Sequence, residues 1–331
     1  IIAGEASGDL HGSNLIKALH ARDKNAQIRC WGGDKMEAAG ATLVKHYREL
    51  AFMGFVEVLK NIKTILKNLR LCKEDILACK PDVLVLIDYP GFNLRIAKWA
   101  KENNIKVIYY ISPQVWAWKE NRVKMMKQCI DKMLVILPFE KDYFKSKWNW
   151  EVDYVGHPLI EEVENGKWRS EGTWTMKSEK PIIALLPGSR KQEILKKLPV
   201  MLEVSKAFPE YEFVVAKAPG LDDSFYQSLI KQYHNVSSVS NQTYLLLHHA
   251  TAALVTSGTA TLETALFAVP QVVCYKGNEI SYQIAKRLVN IKYISLVNLI
   301  MDKEVVKELI QHEMNTEQLI TELKKIIPGS V

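Results

Sequence analysis

The chain has 331 residues, of which 48% are hydrophobic and 24% charged, with a formal net charge of +7. That balance excludes a disordered or low-complexity chain, and the length suits two domains of roughly 150 residues each. No run of 18 apolar residues is present, which excludes a membrane-spanning helix; the positive charge permits an anionic partner without choosing one.

Short apolar runs alternate with longer amphipathic stretches, the pattern of parallel sheets covered on both faces. In chain order, Ile1-Ile2-Ala3 predicts a strand leading through a glycine-rich turn into a helix over 10–21. Strands follow at 27–31, 83–87, 107–111, 133–137 and 153–155, with helices over 55–80, 94–103 and 119–129. This makes 1–163 a first Rossmann-like domain. Residues 164–180, with Gly166, Gly172, two tryptophans and mixed charges, read as a linker. The alternation restarts with strands at 182–186, 211–216, 236, 253–256 and 270–274 and helices over 193–208, 224–233, 242–248 and 260–266. The remainder is expected to be mostly helical, so 181–305 forms a second domain and 306–331 a helical tail. The expected class is α/β, two Rossmann-like domains facing a central cleft, with ligands beyond the carboxyl ends of the strands. The chain opens inside a strand without methionine and stops soon after a helix, so a longer natural protein is expected.

Five motifs carry the chemistry. Gly4-Glu5-Ala6-Ser7-Gly8-Asp9 follows the first strand. Its glycines permit close approach of a ligand, but Ala6 breaks the dinucleotide fingerprint; the plainer alternative is a turn capped by Ser7 or Asp9. Asp88 stands where the 83–87 strand runs out, in Asp88-Tyr89-Pro90-Gly91-Phe92-Asn93. A carboxylate there can take a proton from a substrate hydroxyl, or can simply cap a turn. Pro187-Gly188-Ser189-Arg190 ends another strand with a fixed cation suited to phosphate. Thr256-Ser257-Gly258-Thr259 opens a helix whose free N–H groups suit a diphosphate, and Glu263 lies one turn in, within reach of a ribose diol. The last two together favour a nucleotide-diphosphate site, with Lys276 as a further candidate cation.

The fifth motif is a basic amphipathic stretch. Residues 45–80 hold eight Lys/Arg against four Asp/Glu, and the opening Met53-Gly54-Phe55-Val56 is apolar. Such a helix either lies in an anionic membrane interface or packs on its sheet. Ser112-Pro113-Gln114-Val115-Trp116-Ala117-Trp118 reads as a cleft wall or a packed corner. The five cysteines form no CxxC pair and His157, His248 and His249 form no ligand set, so no metal and no cofactor are expected.

Eight strings in register resemble the lipid-A-disaccharide synthase family: GEASGD at 4–9, MGFVEVL at 53–59, IDYPGFN at 87–93, SPQVWAW at 112–118, GHPL at 156–159, LLPGSR at 185–190, SGTATLE at 257–263 and SLVNLIMDKEVVKELIQ at 295–311. The resemblance covers essentially the whole chain. It implies two Rossmann-like domains of the glycosyltransferase-B kind and an inverting, metal-free hexosyl transfer. The donor would be UDP-2,3-diacylglucosamine, the acceptor 2,3-diacylglucosamine 1-phosphate (lipid X), and the products a β-1,6 disaccharide 1-phosphate and UDP. Asp88 matches the family's proposed catalytic aspartate. Gly188, Ser189, Arg190, Ser257, Gly258, Thr259, Glu263 and Asn298 match its donor-binding elements. Glu5, Ser7, Asp9, Ser112 and Gln114 are assigned to the acceptor or cleft.

The resemblance also implies membrane and acyl contact through Met53, Phe55, Val56, Val58 and Leu59, at the cytoplasmic face of the inner membrane. The C-terminal tail would return to an N-terminal domain, with tails exchanged between two subunits of a homodimer. The chain departs from the pattern at Val297, where the family often has proline, and it is shorter than the family. Rival readings are another transferase of this fold, a UDP-sugar 2-epimerase, or a catalytically idle lipid-binding protein. Nucleic acid is not expected, because no finger, RNP-like or winged-helix signature is present.

Overall fold

The computed structural model describes residues 1–50, 62–166, 168, 179–289 and 291–328. The chain divides into two compact units, Ile1–Pro158 and Leu159–Val331.

The first unit is built on a seven-stranded parallel sheet in the order β3-β2-β1-β4-β5-β6-β7. The strands are β1 Ile2–Ala3, β2 Arg29–Gly32, β3 Thr42–His46, β4 Leu84–Ile87, β5 Val107–Tyr110, β6 Lys132–Val135 and β7 Asp153–Tyr154. Alternate residues feed opposite faces, as the pleat requires. Ile2, Leu84, Leu86, Val107 and Tyr109 join one apolar core, while Ala3, Val85, Ile87 and Ile108 join the other. A parallel strand buried on both sides has no polar face, which is why 83–87 reads as a continuous apolar run.

The second unit repeats the plan with six parallel strands in the order β10-β9-β8-β11-β12-β13. They are β8 Ile182–Leu186, β9 Glu212–Lys217, β10 Val236–Ser240, β11 Ala250–Thr256, β12 Gln271–Tyr275 and β13 Lys307–Ile310. In both sheets the strand numbering reverses once, between β1 and β4 and between β8 and β11. Loops leaving the two central strands part to opposite faces at such a point and leave a crevice beyond their carboxyl ends.

The structure corrects several sequence-based expectations. The tail is not wholly helical: Lys307–Ile310 extends the second sheet beside β12, with Leu309 opposite Cys274. Four residues, two of them charged, are too few to tell a strand from a helical segment by periodicity. The strand is fixed instead by long-range partners, because buried Glu308 accepts from the backbone N–H groups of Ile294 and Ser295 at 2.9 Å each. Met314, Leu319, Leu323 and Ile327 complete the core under helix Lys191–Val204 in the second unit. The boundary also moves. Helix Pro158–Glu164 opens at the division between the units, and buried Trp168 packs on Phe267 and His248 of the second unit, with ring centroids 5.0 and 5.1 Å away. Trp168, inside the expected linker, therefore packs with that unit.

Two helices begin earlier than the motifs suggest. Helix Ala6–Arg22 takes in Gly8 and Gly12, and helix Pro90–Glu102 starts at the proline. Pro90 serves at N1, where a missing N–H costs nothing. Of the long basic segment, helix Ile62–Cys79 buries Leu69, Cys72 and Ile76 on the sheet and exposes Lys63, Lys67 and Arg70 together with Ile62 and Leu66. Met53, Phe55, Val56, Val58 and Leu59 lie outside the described residues.

Candidate functional site

In the first unit the reversal point brings together the first two motifs. Ala3 of β1 pairs with Ile87 of β4, so the Gly4–Asp9 and Asp88–Asn93 segments leave neighbouring strands at one level. Asp88 and Tyr89 both adopt left-handed conformations, with φ of 44° and 48°. Each such residue costs on the order of 1–3 kcal/mol and persists only where its surroundings hold it.

Here the restraint is visible. The Asp88 N–H donates to Tyr110 O at 3.0 Å, and the Asp88 carbonyl accepts from the Tyr109 hydroxyl at 2.6 Å and from Asn93 Nδ2 at 2.8 Å. The Tyr89 hydroxyl donates to Leu50 O at 2.6 Å. Its ring lies where a side chain on Gly4 would go: an added Cβ would stand 2.1 Å from Tyr89 Cδ1. Burial, and then the nearby charge of Glu5, push the Asp88 carboxyl up to about 6, against a smaller opposing effect of the Tyr89 N–H. A carboxylate held in this range is a stronger base than a solvated one yet still mostly ionised at neutral pH.

The other first-unit candidates divide. Glu5 sits beside Asp88 at the start of helix Ala6–Arg22, and Ser7 is exposed on its first turn. Gln114 is exposed, whereas Ser112 is buried and donates its hydroxyl to Pro113 O at 3.0 Å. Asp9 is buried and faces inward. Its carboxylate accepts from the backbone N–H groups of Gly33, Lys35 and Met36 at 2.8, 3.2 and 3.1 Å, at the start of helix Asp34–Ala38. It therefore caps a helix other than its own. In the aromatic stretch, Trp116 is a packed corner, its Nε1 donating to Glu140 at 3.2 Å. Buried Glu140 also accepts from Ile136 and Leu137, and burial lifts its carboxyl to about 7. Burial, and then His11, push His157 down to about 4, so it is neutral at physiological pH.

In the second unit the reversal point joins the other two motifs. Leu186 of β8 pairs with Val255 of β11, which sets Gly188 and Ser257 side by side beyond the strand ends. Gly188 has φ of 115° and Gly258 φ of 141°, conformations that L side chains avoid. Ser189 is exposed, and Arg190 is the exposed N-cap residue of helix Lys191–Val204. Arg190 Nη1 meets Glu193 Oε1 at 3.0 Å. Gly258 caps helix Thr259–Leu266, leaving Thr259 exposed, while the Ser257 hydroxyl donates to Ile294 O at 2.9 Å. Glu263 accepts from the Tyr244 hydroxyl at 3.0 Å, and burial raises its carboxyl above the usual range. Two helix N-termini thus flank one crevice, a setting for a diphosphate.

Two donor-site candidates sit otherwise than ligand contacts. Asn298 is fully buried. Its Nδ2 donates to Val306 O and Glu308 at 2.9 and 2.8 Å, and its Oδ1 accepts from Val305 and Val306 at 2.8 and 3.0 Å, which uses its whole capacity. It braces the chain between Ser295 and β13. Lys276 Nζ points to Met314 O at 3.5 Å.

The sequence alone assigned no role to Lys197, Tyr109 or Asn93. Lys197 lies on the apolar stripe of its helix with Ile194, Leu198 and Met201, and its side chain is 6% exposed. Its Nζ donates to Thr256 Oγ1 and lies 3.7 Å from Glu193 Oε2, and burial holds its ammonium below lysine's ordinary value. A lysine at a stripe position was the available signal. Among the described residues no group of three His, Cys, Asp or Glu side chains is arranged as a metal set, and no helix is long and apolar enough to cross a membrane.

Comparison with known proteins agrees with this architecture. Solved structures share the fold along nearly the whole chain. A UDP-GlcNAc 2-epimerase from Neisseria meningitidis, bound to UDP-GlcNAc, aligns with a TM-score of 0.61 at 14% identity, covering 97% of this chain and 96% of that one. The glycotransferase of kitacinnamycin aligns with a TM-score of 0.66 at 15% identity, covering 95% and 86%. At these identities the likeness establishes the fold, a glycosyltransferase-B-like pair of Rossmann domains. Sequence similarity is far higher elsewhere. The chain is 39% identical to lipid-A-disaccharide synthase of Syntrophus aciditrophicus, over 99% of this chain and 87% of that protein. It is 37% identical to the synthase of Trichlorobacter lovleyi over the same shares. The family model for lipid-A-disaccharide synthetase matches residues 1–330. The chain belongs to the lipid-A-disaccharide synthetase family.

Proposed function

We infer that the chain is an inverting glycosyltransferase that moves 2,3-diacylglucosamine from UDP to lipid X, releasing UDP and the β-1,6 disaccharide 1-phosphate. The observation that carries this reading is family membership over residues 1–330, in a chain whose β4 ends on a restrained Asp88 with its carboxyl pushed up to about 6.

The residues divide the work by unit. Asp88 accepts the proton of the acceptor 6-hydroxyl as that oxygen attacks the sugar C1, and Glu5 keeps it basic. In the second unit the N-termini of helices Lys191–Val204 and Thr259–Leu266, with Arg190, take up negative charge as the bond to UDP breaks. Gly188, Ser189, Ser257, Gly258 and Thr259 bring backbone close to the diphosphate, and Glu263 takes the ribose. Asn298 contributes by holding the Ser295–Val306 segment under Ser257. The enzyme is peripheral at the cytoplasmic face of the inner membrane, where Met53, Phe55, Val56, Val58 and Leu59 meet the acyl chains and the anionic surface.

Product analysis with UDP-2,3-diacylglucosamine and lipid X tests the reaction. Formation of disaccharide 1-phosphate with stoichiometric UDP supports it. UDP release without lipid X, or epimerised donor, would replace it with hydrolysis or epimerisation.

A further inference from the structure

Among its described residues the second unit holds a buried cation that the transfer as described does not use. Lys197 occupies a core position of helix Lys191–Val204, yet its ammonium reaches the crevice end of the sheet between Thr256 and Glu193. Glu193 is the unusual neighbour. It is a carboxylate at the place where a diphosphate would approach: a Cβ added to Gly188 would stand 2.9 Å from Glu193 Oε2 and 3.5 Å from Lys197 Nζ. One oxygen of Glu193 faces Arg190 Nη1 at 3.0 Å and the other faces Lys197 at 3.7 Å.

An anion entering this crevice must take Arg190 from Glu193. That exchange leaves a carboxylate beside the incoming phosphate, and like charges at such range repel. A buried lysine behind the carboxylate removes the difficulty. We propose that Lys197 is the counter-charge to Glu193: it neutralises the carboxylate from beneath when Arg190 turns to the diphosphate, and so acts as a positioning residue for donor binding. This rests on reading the second unit as the UDP site. Burying an ion pair gains little stability over an apolar pair of the same shape, so a purely structural purpose does not call for a lysine at this stripe position.

The test is UDP titration by calorimetry on the full chain, with thermal melts alongside. Lys197→Met and Lys197→Gln both remove the charge, and the glutamine keeps a partner for Thr256. Each is expected to weaken UDP by about tenfold or more while the protein stays folded. Adding Glu193→Gln to either variant is expected to restore most of the lost affinity, because no carboxylate then remains to be neutralised. Glu193→Gln alone binds UDP as tightly as the parent or more tightly. A structural role predicts no such rescue. Unchanged UDP affinity in folded Lys197 variants, failure of Glu193→Gln to rescue, or failure of both variants to fold would each overturn the proposal. If the parent protein itself does not bind UDP, the donor-site reading falls as well, which separates the two failures.

Discussion

The phenol of Tyr109 donates a 2.6 Å hydrogen bond to the carbonyl oxygen of Asp88, one strand away. It ties a left-handed turn of the first unit to a residue with no exposed surface. Asn93 holds the same carbonyl from the following helix. The turn that carries the carboxylate is therefore clamped from the sheet and from the helix at once.

Tyr109→Phe removes one clamp and leaves the other. A hydrogen bond of this kind contributes about 1 kcal/mol net, so the melting temperature should fall by a few degrees. Turnover should fall more, by roughly tenfold, because the carboxylate is no longer held in place. UDP affinity should not change, since its groups belong to the other unit. Kinetics, calorimetry and a melt on one variant decide. Normal turnover with a lowered melting temperature would make the clamp purely structural.

Asp9 was expected in the acceptor region, and its geometry makes it a helix cap. Asp9→Ala leaves three backbone N–H groups without their acceptor. The cost is about 2 kcal/mol, or roughly 4–8 °C. Acceptor KM should stay the same per folded molecule. A raised KM with an unchanged melting temperature would return Asp9 to the acceptor site.

Much of this was legible in the sequence, because parallel strands buried on both faces leave unbroken apolar runs. The strand Ile182–Leu186 was delimited to the residue. Strand-end motifs marked the candidate residues within each unit for the same reason: a carboxylate or glycine just past such a run must lie beyond the strand ends. Less legible were residues whose roles depend on partners far along the chain. Asp9 bonds to N–H groups 24–27 residues away. Asn298 is spent on the chain around β13, and Lys307–Ile310 becomes a strand only because β12 offers an edge. Lys197 was missed because lysines at helical spacing usually face water.

Arg190 is 62% exposed, and its contact with Glu193 adds little to the fold. Arg190→Ala should leave the melting temperature within a degree or so. UDP binding should weaken by roughly ten- to a hundredfold, the worth of a charged hydrogen bond to phosphate. Calorimetry measures this directly. An unaltered dissociation constant would move the phosphate contact away from Arg190.

Asp88→Asn separates chemistry from structure most sharply, because the two accounts differ in sign. As the base, Asp88 must be ionised, so kcat/KM of the parent should rise with pH through about 6 and then level. The asparagine variant should lose roughly 10²–10⁴-fold in turnover and show no such rise. Stability should move the other way. Burial pushes the carboxyl up to about 6 in the folded chain from its ordinary 3.8, so between these values the folded state holds a proton that the unfolded state releases. The favourable contribution is complete below the lower value and is lost as pH rises through the upper one. Above that pH the parent carries a buried charge at a cost, and the neutral amide does not. Asp88→Asn should therefore melt higher than the parent at pH 7–8, with the gap closing toward pH 4. If the carboxylate is instead a turn cap, the variant melts lower at pH 8 and keeps nearly normal turnover per folded molecule. Melts across that range, with kinetics on the same preparations, distinguish the two. Turnover within about threefold of the parent would remove Asp88 from the mechanism and turn attention to Glu5 beside it.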